Sequence, residues 1–116
     1  MLRSFSVDKT LYGRTITARC DITDNGISIL VCGGDLSHIG AVTVIEDESN
    51  INDIVFHSHK EGVIASSWAR SVYYKTNVPT VVCCGIHFDG ITKDQIKGVL
   101  DLADIMLKEL TDLIII

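Results

Sequence analysis

Proline occurs once in the chain, at Pro79, and no proline-, glycine- or serine-rich stretch interrupts it, so linkers, repeats and low-complexity segments are absent. Basic residues are outnumbered, with 10 Lys and Arg against 15 Asp and Glu for a net charge of −5. A nucleic-acid binder usually gathers a basic excess on one face, and no such cluster is present. No apolar run approaches the roughly 20 residues that cross a bilayer. The opening stretch Met1 to Thr10 lacks the apolar core of a signal peptide. The four cysteines, Cys20, Cys32, Cys83 and Cys84, include no C-x-x-C pair. Cys83 and Cys84 point to opposite faces of any regular strand, so they do not bridge each other. Reduced cysteines acting as small core residues are the expectation, which suits a cytoplasmic location.

What remains is enough for a fold. The 116 residues fit a single domain, 1–116, with 1–12 read as a partly ordered N-terminal segment. At this length folding buries roughly two thirds of the surface, so a core needs no metal or disulfide staple. Hydrophobic residues are 47% of the chain and charged ones 22%, a balance that excludes disorder.

Residues 15–22 alternate Thr15, Thr17, Arg19, Asp21 with Ile16, Ala18, Cys20, Ile22, the period of a half-buried strand. Asp24-Asn25-Gly26 supplies a hairpin turn, and the apolar run Ile27 to Cys32 reads as a central strand. A third strand is expected at Ala41 to Ile45 and a fourth at Asp53 to His57. Ser58 and Glu61 match a capping box, which opens a helix reaching about Lys75 with Ile64, Trp68 and Val72 on one face. Thr80 to Cys84 is the fifth strand. Thr92 and Gln95 form a second capping box, ahead of an apolar stripe of Ile96, Val99, Leu100, Ala103, Met106, Leu107 and Leu110. Leu102 and Ile105 lie off that stripe, so a homodimer or larger assembly is expected. The fold class is α+β, an α/β two-layer arrangement: a mixed sheet of about five strands with two helices on one face, in the order β-β-β-β-α-β-α.

The topology gathers chemistry. Strand 53–57, helix 58–75 and strand 80–84 have the length of a β-α-β crossover, which makes those two strands parallel. If the short joints before and after strand 41–45 are hairpins, strand 27–32 runs the same way. Three strands then end at one sheet edge, and their tips carry His38, the pair His57 and His59, and His87. Two helices begin at that edge, where free N–H groups favour phosphate or carboxylate. Gly33, Gly34 and Gly85 let backbone approach a ligand, or serve only tight turns. Asp35 and Asp89 share the loops and can orient imidazoles, ligate a metal or hold ligand hydroxyls.

Each residue also has a plainer reading. His59 reads as an exposed first-turn residue or a ligand contact, and His57 as a satisfied core histidine or a functional one. His38 and His87 lie in glycine-flanked loops beside an aspartate, where function is favoured. Trp68, Tyr73 and Tyr74 are expected in the core or an interface. A divalent metal on His38, His57 and His87 is chemically reasonable, although the spacing matches no known cage. No catalytic triad is in evidence, since Ser37 beside His38 lacks a nucleophile-elbow context.

The loops Gly33-Gly34-Asp35-Leu36-Ser37-His38-Ile39-Gly40-Ala41-Val42 and Gly85-Ile86-His87-Phe88-Asp89-Gly90-Ile91-Thr92 resemble the prenylated flavin chaperone LpdD-like family, small accessory D subunits of UbiD-type decarboxylases such as gallate decarboxylase. The likeness runs from about Gly13 to the last helix, with Ser37 standing where proline is expected and Gly90 where asparagine is. It implies a non-catalytic role: holding reduced prenylated FMN, or FMN, and passing it to an apo-decarboxylase. Together with the loop argument it singles out Gly33, Gly34, Asp35, His38, Ile39, Gly40, His59, Gly85, His87, Asp89 and Thr92 as cofactor contacts. Two other readings stand beside it: a small metal-dependent enzyme built on the histidines, and a structural decarboxylase subunit whose histidines are incidental.

Overall fold

A computed structural model describes residues 1–56 and 61–115. Six strands and two helices follow in the order β1 (Arg3–Leu11), β2 (Arg14–Thr23), β3 (Gly26–Gly34), β4 (Ala41–Asp47), β5 (Asn50–Val55), α1 (Glu61–Thr76), β6 (Thr80–His87) and α2 (Lys93–Leu113). The strands form one mixed sheet in the spatial order β1-β2-β3-β6-β4-β5.

The α+β class and the two helices agree with expectation, whereas the strand count and order need correction. The segment expected to be partly ordered, 1–12, contains β1, which pairs antiparallel with β2 along its whole length. Its inward positions include Lys9, and only Val7 is buried, so its alternation is too weak to stand out in the sequence. Tyr12 and Gly13, both at positive φ (51° and 75°), close the β1–β2 hairpin as a two-residue turn. The expected strand 53–57 is β5 at Asn50–Val55, shifted toward its polar residues Asn50 and Asn52.

The joint between β3 and β4 is no hairpin between neighbours. β6 lies between them, parallel to β3 and antiparallel to β4. An apolar strand such as Val81 to Cys84 gains most from a central place, flanked on both sides. β4 and β5 do pair antiparallel, so β5 and β6 run parallel, as the crossover argument required, and β3 points the same way through its direct parallel pairing with β6.

Cross-strand register explains the core. Val7, Ala18, Val31, Cys84 and Ala41 face one another in a row across five strands, and all are buried. α1 covers β4, β5 and β6, and α2 covers β1 and β2 on that side. α1 contributes Ile64, Ala65, Trp68 and Val72, and α2 contributes Val99, Ala103, Met106 and Leu110. Leu102, off the expected stripe, packs against the core, while Ile105 is exposed. The opposite face carries the row Arg19, Leu30, Cys83, Val42 and Ile54 with no helix over it.

All four cysteines are free thiols, as expected. Burial, aided by the Asp21 charge, pushes the Cys20 thiol up to about 12. Such thiols stay protonated and unreactive.

Candidate functional site

The six-residue loop Asp35 to Gly40 leaves β3, steps across the end of β6 and enters β4. It is fastened at both ends: the Asp35 N–H donates to the His87 carbonyl at 2.7 Å, and the Gly40 N–H donates to the Cys84 carbonyl at 2.8 Å. Midway, the His38 carbonyl passes directly over Gly85, where any Cβ would collide with it. Gly85 is therefore a crossing point for backbone, which accounts for a glycine inside an otherwise apolar strand.

That crossing brings His38 beside His87. Their rings stand edge to face with centroids 6.4 Å apart. His38 Nε2 lies 2.9 Å from Glu61 Oε1, and its Nδ1 lies 3.3 Å from the Leu36 carbonyl oxygen. Both neighbours are hydrogen-bond acceptors, so an N–H on either ring nitrogen has a partner. His87 Nε2 lies 2.8 Å from Asp89 Oδ1. Glu61 is buried, and its second carboxylate oxygen has no hydrogen-bond partner among the described residues.

Glu61 escaped the sequence reading as a site residue. As the E of an S-x-x-E box it was expected to reach back to a backbone N–H, whereas its carboxylate meets His38 instead. Ser58, the other half of that box, lies outside the described residues, as do His57 and His59. At α2 the capping box holds: the Thr92 hydroxyl accepts from the Gln95 N–H, and the Gln95 side chain accepts from the Thr92 N–H. Two groups that the sequence offered to a phosphate are thus already engaged.

Asp35 ties the two loops together. One oxygen accepts from Arg14 Nε at 2.7 Å and the other from the Asp89 N–H at 2.8 Å. The Asp89 N–H first, and then Arg14, hold the Asp35 carboxyl below the usual carboxylate range. A carboxyl whose folded value is depressed adds stability above its unfolded value, and that stability is lost as pH falls through the folded value. The urea midpoint of the wild type is therefore expected to hold down to about pH 5 and to fall below it. Asp21, Asp47 and Asp53 are lowered as well, so the comparison that decides is Asp35→Asn. That variant should start less stable at pH 7 and lose less on acidification; an equal acid loss in both proteins would contradict the clamp.

Beneath the two histidines opens a half-enclosed cavity of about 330 Å³. His38, His87 and Glu61 form its polar end, and Ile64, Ile86, Phe88, Ile91 and Val99 supply apolar walls from α1, β6, the loop after β6 and α2. An apolar concavity with few convergent polar groups is the usual form of a small-molecule site, and this volume lies near the low end of the range. Tyr12, at the β1–β2 turn, stacks edge-on against Phe88 at 5.5 Å and donates to the Gln95 carbonyl, bracing the wall.

Of the expected contacts, His38, Gly40, Gly85, His87, Asp35 and Asp89 gather around this cavity or its loops. Gly33 and Gly34 pair with Ile86 and His87 inside the β3–β6 ladder, and Ile39 is half exposed on the crossing loop. Among the described residues no three His, Cys, Asp or Glu side chains converge as a metal site. His38 and His87 each direct a ring nitrogen at a carboxylate, and the third expected ligand, His57, lies outside the described residues. No helix among the described residues is long and apolar enough to cross a membrane.

The family model of the prenylated flavin chaperone LpdD-like domain matches residues 10–115. The chain belongs to the prenylated flavin chaperone LpdD-like family. The match spans β2 to α2 and so includes every element that builds the cavity. A chain from a solved structure described as a novel chaperone complex for yeast 20S proteasome assembly is similar in fold, with a TM-score of 0.65 over 96% of both chains at 14% sequence identity. At that identity the likeness speaks for the fold alone. No curated protein sequence matches this chain.

Proposed function

We propose that the cavity under His38 and His87 holds reduced prenylated FMN, and that the protein passes it to a UbiD-type aromatic acid decarboxylase without a catalytic step of its own. The observation that carries this reading is the cavity itself, apolar along its walls and polar at one end, within a chain of the flavin chaperone family. The fit is good for a flat heteroaromatic ring: its hydrocarbon edge suits Ile64, Phe88 and Val99, and its polar edge suits the imidazole end of the cavity. At about 330 Å³ the cavity has room for the ring system and would leave the ribityl phosphate outside it. A carrier needs an open mouth, and the half-open cavity supports that reading.

Four free thiols favour action in the reducing cytoplasm. The expected homodimer finds better support on the open sheet face than on α2. Leu30, Val42 and Cys83 are uncharged and lack a covering helix, and the adjacent Arg19 and Asp21 offer opposite charges to a two-fold copy. A metal-dependent enzyme draws less support, because among the described residues no three His, Cys, Asp or Glu side chains converge.

The test is anaerobic co-elution of the protein with reduced prenylated FMN, with light scattering for mass, followed by addition of an apo-decarboxylase. Binding, a two-chain mass and activation of the decarboxylase are expected. The His38→Ala, His87→Ala double variant should bind at least about tenfold more weakly, as expected for loss of the polar contacts at that end of the cavity. Absence of flavin binding by the wild type would overturn the reading.

A further inference from the structure

We infer that Glu61 is a positioning residue of this pocket, acting on the ligand through His38. The inference rests on the ligand reading above and assigns a role to a side chain outside the family-like loop motifs. Three observations carry it. Glu61 is the first residue of α1 and is buried, and its carboxylate meets His38 Nε2, on a loop 23 residues earlier in the chain, at 2.9 Å. Burial of a carboxylate is costly unless it is paired, so the side chain is kept for that contact. Second, Gly40 leaves the space the pair occupies: a Cβ there would collide with the Glu61 carboxylate and press on His38 Nε2. Third, the ring is held from its other side by the Leu36 carbonyl at 3.3 Å from Nδ1. An imidazole gripped at both nitrogens has one orientation, and the ring is presented edge to face to His87 across the cavity. Carboxylate partners of this kind fix the orientation and proton placement of a working histidine. Among the described residues, the groups facing Glu61 include His38 from the loop and Cys84 from β6, whose thiol is pushed up by burial and then by the Glu61 charge.

The experiment compares Glu61→Ala, Glu61→Gln, His38→Ala and the Glu61→Ala, His38→Ala double variant. It reads affinity for reduced prenylated FMN and the imidazole nitrogen signals of His38 by NMR. Glu61→Ala should weaken binding about tenfold. The double variant should be no weaker than His38→Ala alone, because both changes remove the same contact. Glu61→Gln retains an acceptor oxygen and should restore much of the affinity. The His38 nitrogen signals should move in Glu61→Ala even without ligand. Affinity like the wild type in Glu61→Ala, or multiplied losses in the double variant, would overturn the inference. Should the wild type bind no flavin, the reading of the ligand falls and the NMR signals alone decide: displaced signals uphold positioning by Glu61, and unmoved signals end it.

Discussion

Gly85→Ala is expected to destabilise the protein by about 2 kcal/mol and to abolish ligand binding, a large effect for one methyl group. The added carbon meets the His38 carbonyl and the Ile39 N–H, which are backbone and cannot rotate away like a side chain. The crossing loop must lift, and its hydrogen bond from Gly40 to the Cys84 carbonyl is the first to suffer. Lifting it carries His38 away from both Glu61 and His87, so the polar end of the cavity comes apart. Urea unfolding together with flavin co-elution would measure both parts. A variant within about 0.5 kcal/mol of the wild type that still binds would show that the loop yields freely.

Trp68→Ala is expected to cost about 3–5 kcal/mol, the largest stability loss of any single truncation considered. Trp68 is only 1% exposed and lies on the α1 face that also holds Glu61, Ile64 and Val72. Its removal leaves a void between α1 and the sheet, which interiors packed like crystals cannot fill without moving. Because native proteins are stable by only about 5–15 kcal/mol, the melting temperature should fall by more than about 10 °C. Trp68→Phe should be far milder. The indole N–H has no hydrogen-bond partner among the described residues, and a buried donor left unsatisfied costs about 1–3 kcal/mol, which offsets part of the lost volume. Circular dichroism melts of both variants are the measurement, and equal losses would contradict this account.

Several features of the site were open to reading before any coordinates. The loops Gly33 to Ala41 and Gly85 to Thr92 carry the family likeness, and the family model covers both. The shared direction of the strands ending at Val55 and His87 follows from connection length, since a crossover helix forces parallel strands, whereas the direction of the strand ending at Gly34 agrees with expectation although the β3–β4 hairpin behind that expectation does not form. Other features were less legible. β1 alternates weakly because an edge strand buries only one side chain fully. Glu61 reads as a cap in the sequence because local spacing cannot distinguish a carboxylate that serves its own helix from one that serves a distant loop.

Local pattern alone determined the α+β class, the two helices, the capped start of α2, the reduced cysteines and the placing of His38 and His87 at one edge. Each depends on neighbours within a few residues or on a chain-length constraint, and such signals are written along the chain. Only the tertiary structure decided that β6 slips between β3 and β4, that Gly85 is a backbone crossing and that Glu61 closes on His38. Those features join residues more than 20 positions apart, and the packing that selects them exists only once the sheet has formed.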